Sequence, residues 1–153
     1  MTPEKIATKP NLKKRTLAGL IDYSLMFGAT LVMFLYFGEK NENGYELNGF
    51  PALFNLLIWF GYMVGFEVKF GATLGNQIFD LQVISIKDSK TTSLTLGQSF
   101  VRHLFDIFDL WFFGLLGIVL IKNTKYNQRL GDLCANTIVV DIKDSEQFYK
   151  RFA

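Results

Sequence analysis

The sequence predicts an all-α membrane protein. It reads as a small multi-pass helical bundle: two full spans, a third span or re-entrant hairpin, and a short β-like segment in the cytoplasmic loop. Three observations carry this. Two apolar runs, residues 17–37 and 51–68, are each about long enough to cross roughly 30 Å of hydrocarbon as a helix. Half of the 153 residues are hydrophobic, with 16 Phe, only three Pro and 20% charge, which excludes a disordered or fibrous chain. Finally, an arginine followed seven residues later by an aspartate occurs twice, as Arg15 to Asp22 and as Arg102 to Asp109, with Asp106 inside the second. Seven residues are about two helical turns, so each Arg and its Asp share a face. A charge at mid-bilayer depth costs about 2.5–3.5 kcal/mol. These groups should therefore pair inside the bundle or line a water-filled cavity.

Residues 1–14 form a flexible, basic lead-in. The polar N-terminus lacks the short apolar core of a cleaved leader, so the first span is expected to remain as an anchor. That span, from Leu17 to Phe37, contains one charge, Asp22. Residues 38–50 are polar and mildly acidic (Glu39, Lys40, Glu42, Glu46), with Asn and Gly turn signals. Pro51 suits the first turn of the second span, and Glu67 sits near its end.

Gly punctuation then precedes a β-branched stretch at residues 81–88, and the cluster from Asp88 to Thr91 signals a turn. This predicts a local hairpin or extended loop at the membrane surface. Thr95 followed by Gln98 fits a capping box and starts a helix near Leu96. One helix carrying Arg102, Asp106 and Asp109 on one face would lead into the apolar residues 110–121, too few for a straight crossing. The segment at Thr137–Ile142 reads as a strand. Residues 142–153 read as a polar tail, exposed at its end.

Lys5, Lys9, Lys13, Lys14 and Arg15 favour a cytoplasmic N-terminus. Two crossings return the chain to that side. A third would carry Lys122, Lys125 and Arg129 across, against the charge rule. A re-entrant element over 100–121 resolves the conflict and keeps both termini inside.

Each charged group has a functional and a structural reading. Asp22 beside Arg15 is either an ion- or proton-binding carboxylate or half of a buried ion pair. Arg102, Asp106 and Asp109 leave one negative charge in excess, balanced by Arg15, Arg129 or a bound cation. Packing of the two Arg-to-Asp helices with opposed charges predicts an Arg15–Asp109 pairing. Arg129 and Asp132, three apart, form a local pair or a surface turn. His103 reads as polar packing or a proton relay. Cys134 reads as a small buried residue, and Trp59, Tyr62 and Trp111 as interfacial or packing aromatics. Gly28, Gly61, Gly114 and Gly117 would permit close helix contact and hence self-association or a membrane-complex partner.

A net charge of +2 does not point to nucleic acid. One cysteine allows no intramolecular disulfide, and one cysteine with one histidine makes no metal cage. No nucleotide loop, metal spacing or nucleophile with a base appears, so neither an enzyme nor a cofactor is expected.

Four stretches in order resemble the RDD family of small bacterial membrane proteins, named for one arginine and two aspartates. They are residues 15–22, 71–84, 102–109 and 127–140. The last two resemble the family's second Arg-to-Asp helix and its closing Gln-Arg-Leu-x-Asp run. The chain departs from the family pattern at Leu74 and Asn76, where Pro and Lys are usual, and at Asp80 and Asn136, where Gly is usual. The resemblance covers residues 14–141 and implies a transmembrane domain over 15–141 in the bacterial inner membrane. It supplies no agreed activity, although some members are linked to cation/proton antiport. Two readings follow. One is a transport protein, in its finer form a cation/proton exchanger, in which Asp22, Asp106 and Asp109 bind a monovalent cation or proton and Arg15, Arg102 and Arg129 tune them. The other is a scaffold or accessory subunit whose Arg/Asp pairs, Arg129–Asp132 included, serve assembly in the lipid bilayer.

Overall fold

A computed structural model describes residues 8–42, 44–87, 93–111 and 114–144, the side chains of Leu110 and Trp111 excepted. The first half of the basic lead-in, the turn from Asp88 to Thr91, the ring of Trp111 and the end of the tail lie outside the described residues.

Helix α1 runs Leu12–Phe37. It starts before the apolar run, so Lys13, Lys14 and Arg15 lie on its first turn. At about 1.5 Å per residue it is roughly 39 Å long. A hairpin of β1 (Glu39–Asn41) and β2 (Gly44–Glu46) fills the acidic loop. The second apolar stretch, Gly49–Phe70, comprises α2 (Gly49–Trp59), a π-helical turn (Phe60–Phe66) and α3 (Glu67–Phe70). Such π turns often mark functional sites in helices. In each stretch only 11% of the most apolar window is covered by the rest of the chain. Leu20, Phe27, Leu35, Leu53 and Leu57 are exposed. Bare apolar surface on this scale suits lipid rather than water. Among the described residues these two helices alone are long and apolar enough to cross a membrane.

Thr73 caps the short α4 (Leu74–Ile78) by accepting a hydrogen bond from the Asn76 backbone N–H. Gly75 lets α4 lie directly on α1: a Cβ there would sit 2.2 Å from the Ala18 carbonyl oxygen. Strand β3 (Leu81–Ser85) follows. Its partner is not a neighbouring strand, as the local hairpin required, but β4 (Thr137–Asp141) in the tail. The pairing is antiparallel, with Leu81 opposite Asp141 and Ser85 opposite Thr137. Packing explains the choice. Leu81, Val83 and Val139 bury themselves with Ala18 of α1 and Leu94, and Ile84, Ile138 and Val140 form a second cluster.

Between the strands lie four short helices. The predicted capping box at Thr95 and Gln98 is present, with both reciprocal bonds, and opens α5 (Leu96–Leu104). The expected continuous helix through Asp109 breaks at Phe105, where Phe108 N–H turns back to the Phe105 carbonyl. α6 (Asp106–Trp111) then begins. Gly114, at φ +78°, precedes α7 (Leu115–Asn123) as its N-cap; its N–H bonds the Asp109 carbonyl. At six and nine residues, neither helix reaches across a bilayer. α8 (Leu130–Ala135) leads into β4. It packs on α5 through Gly131, whose Cβ would lie 2.5 Å from the Arg102 carbonyl oxygen.

Because β3 pairs with β4, the four-helix segment leaves and returns at one place. The start of α1 joins the same region: Lys14 pairs with Asp141, and Lys9 Nζ lies 2.9 Å from Asp144 Oδ1.

Candidate functional site

A buried charge network occupies the junction of α3, α5, α6 and α8. Arg102 is its centre and is 1% exposed. Its Nε and Nη2 donate to the two carboxylate oxygens of Glu67, at 3.3 and 3.2 Å. Its Nη1 donates to Asp132 and, at 3.3 Å, to Thr137 Oγ1. A planar guanidinium matches such forked acceptors better than an ammonium would. Ser99 donates to Glu67 at 2.6 Å. His103, one residue on from Arg102, bridges outward: Nδ1 is 2.8 Å from Asp106 and Nε2 is 3.4 Å from Glu67.

Asp132 draws in all three arginines. Besides Arg102, it accepts from the Arg129 backbone N–H at 3.1 Å and lies 3.6 Å from Arg15 Nη1. The Arg129 side chain reaches Asp106, at 2.8 Å. The Arg129–Asp132 pair is therefore no surface turn, since Asp132 is fully buried.

Asp22 stands apart. It accepts from Tyr62 Oη at 2.6 Å, Thr73 Oγ1 at 2.6 Å and the Gly75 N–H at 2.8 Å. Its carboxylate ties α1 to the π turn and to α4. Arg15 and Asp22 share a helix face but have separate partners, a correction to their expected pairing. Arg15 donates instead to the Val139 carbonyl, at 3.2 Å. Nor does Arg15 pair with Asp109, because the break at Phe105 turns α6 away from the line of α5.

Asp109 is 7% exposed, yet neither carboxylate oxygen has a hydrogen-bond partner among the described residues. It lines a cavity of about 490 Å³ bordered by α1, the π turn, α6 and α7. Arg15, Asp22, His103, Asp106 and Arg129 also border this cavity. Gly117 leaves room beside the carboxylate: a Cβ there would meet Asp109 Oδ1 at 3.4 Å.

Several sequence readings change. Cys134 is exposed, not buried. Tyr62 is a hydrogen-bond donor to Asp22 rather than an interfacial aromatic alone. Glu67, the main partner of Arg102, was visible only as a carboxylate at the end of an apolar run. Thr73 and Thr137 stood out only as members of the family-like stretches 71–84 and 127–140, and Ser99 gave no signal. Asp80 and Asn136, which stand where the family pattern has Gly, both adopt left-handed backbone, at φ 56° and 53°. Asp and Asn tolerate that region better than most residues, which accounts for both departures. Asn76 borders the cavity, so the usual Lys there would have added a cation to it. Among the described residues, no group of three or more metal-ligating side chains could hold a metal ion.

Two lipid-length apolar helices, joined to a buried network of arginines and carboxylates, define a membrane protein. The chain belongs to the RDD family, whose model matches residues 9–136. No curated protein and no solved structure matches it.

Proposed function

We propose that the chain is a small transport protein in which Asp109 carries a monovalent cation or a proton. The supporting observation is the Asp109 carboxylate itself, buried, bordering a cavity and without a hydrogen-bond partner on either oxygen among the described residues. A buried polar group without partners costs about 1–3 kcal/mol, and more when charged. A proton or a cation relieves that cost, and only one can do so at a time. That competition is the elementary requirement for exchange. Asp106, one turn earlier on α6, and His103 at the end of α5, 2.8 Å from it, continue the line as a route for protons. The network's charge supports the reading: among the described residues the three guanidiniums of Arg15, Arg102 and Arg129 stand against the four carboxylates of Glu67, Asp106, Asp109 and Asp132, leaving one negative charge for a cation, a proton or an imidazolium at His103.

In the proposed topology both termini are cytoplasmic and α5–α8 form a re-entrant element. The β3–β4 pairing supports this, since it brings the two ends of that element together. The basic start of α1 and the acidic β1–β2 loop support the orientation. Asp22 favours the scaffold reading for its own part of the molecule, because both its oxygens accept hydrogen bonds that serve helix packing.

The test is reconstitution in sealed vesicles with a pH dye inside and gradients of Na⁺, K⁺ or Li⁺. Cation-driven proton flux in the wild type and its loss in Asp109→Asn support transport. No flux with any of the three would leave the assembly reading in its place.

A further inference from the structure

Asp109 is not alone in lacking partners. Arg15 is nine-tenths buried and borders the same cavity, and its Nε and Nη1 make no hydrogen bond among the described residues. The nearest carboxylate to Nη1, that of Asp132, is 3.6 Å away and already engaged by Arg102. The cavity therefore holds orphan donors at one place and orphan acceptors at another. A simple cation satisfies only Asp109 and brings positive charge toward Arg15. A simple anion satisfies only Arg15 and meets the charge of Asp109. One ligand bearing both signs relieves both groups.

The rest of the lining fits an amphiphile. Leu12, Leu20, Ile118 and Ile121 supply aliphatic wall. A volume of about 490 Å³ lies in the range of small-molecule sites. Leu12, Arg15 and Thr16 place part of the rim on the first turns of α1, the end of a span where lipid headgroups lie.

We infer that the cavity binds a zwitterion whose anionic oxygens meet Arg15 and whose N–H-bearing ammonium meets Asp109, the chemistry of a phosphoethanolamine group, on a lipid or free. The inference rests on the reading of Asp109 as the free carboxylate of the site; the ammonium takes the place of the exchanged cation or proton. A choline group has no N–H to give Asp109, and a glycerol headgroup has no ammonium.

The test uses the full chain, purified in detergent and stripped of lipid. Native mass spectrometry compares phosphatidylethanolamine, phosphatidylcholine and phosphatidylglycerol of identical acyl chains. The ethanolamine lipid should bind about tenfold better than either other, the worth of one charge-assisted hydrogen bond. Arg15→Gln should weaken it by a similar factor, and Asp109→Asn should bring the ethanolamine and glycerol lipids level. Displacement by millimolar O-phosphoethanolamine would assign the binding to the headgroup alone; retention against it would assign a share to the acyl chains. Equal binding of the three lipids by the wild type overturns the inference, and that comparison needs no variant. Cation-driven flux from a protein without lipid preference would overturn it while leaving the transport reading intact. Lipid preference without flux would do the reverse.

Discussion

Arg102 and Glu67, thirty-five residues apart, form a two-pronged ion pair that neither water nor lipid reaches; the side chains are 1% and 0% exposed. The pair fastens the end of the second span to α5, and through Asp132 to α8. Removing one partner strands the other charge in the interior, at a cost of about 3–5 kcal/mol. Glu67→Gln and Arg102→Gln should each melt far below the wild type in detergent. The double variant should recover part of the loss, which a double-mutant cycle reads directly. Additive losses would show that the two side chains act separately.

Asp22 and Asp109 should behave oppositely when made neutral. Asp22 accepts three hydrogen bonds between three elements, so Asp22→Asn should cost about 1–3 kcal/mol of stability. The Asp109 carboxylate accepts none among the described residues, so Asp109→Asn should leave the melting temperature unchanged or raised. Thermal unfolding of the two variants side by side checks this, and a large loss in Asp109→Asn would mean the carboxylate has partners after all.

Left-handed backbone at Asn136 sets up a third expectation. Holding an L-residue there costs about 1–2 kcal/mol. Asn136→Gly should be neutral or stabilising, and Asn136→Val should be destabilised, because a β-branched side chain fits that region worst. Equal stability of the two variants would contradict the observed φ.

Asp80 and Lys143 supply a control on the surface. Their hydrogen bond, 2.6 Å long, holds the Asp80 carboxyl below its ordinary range and the Lys143 ammonium above its own. The Asp80 contribution is present above its unfolded value, about 3.9, and is lost as acid protonates it through the lowered folded value. The Lys143 contribution is present below its unfolded value, about 10.4, and is lost as alkali passes the raised one. Between those limits the pair adds no pH dependence. Being exposed, it should matter little: Lys143→Ala should melt with the wild type at about 0.15 M salt.

Much of the frame was legible in the residues. The two apolar runs, the Thr95–Gln98 cap and the final strand each depend on local pattern, and each formed where the pattern placed it. What depended on contact between distant segments was not legible. Nothing near Leu81 names Asp141 as its partner, and no spacing links Glu67 to Arg102. Helical periodicity put Arg102, Asp106 and Asp109 on one face, but it assumed an unbroken helix, and the break at Phe105 separates a satisfied arginine from an unsatisfied aspartate. The seven-residue repeat marked the right residues and mispaired them.

The central claim is that Asp109 is, among the described residues, the free carboxylate of the site while Asp22 and Asp132 are locked into structure. A hydrophobic carbodiimide, which reacts with protonated carboxyls in apolar surroundings, tests it on the intact protein in membranes. Mapped by mass spectrometry, the adduct should fall on Asp109, spare Asp22 and Asp132, and diminish when a cation that competes for Asp109 (Na⁺, K⁺ or Li⁺) is added. An adduct on Asp22 or Asp132 with Asp109 unmodified would contradict the account.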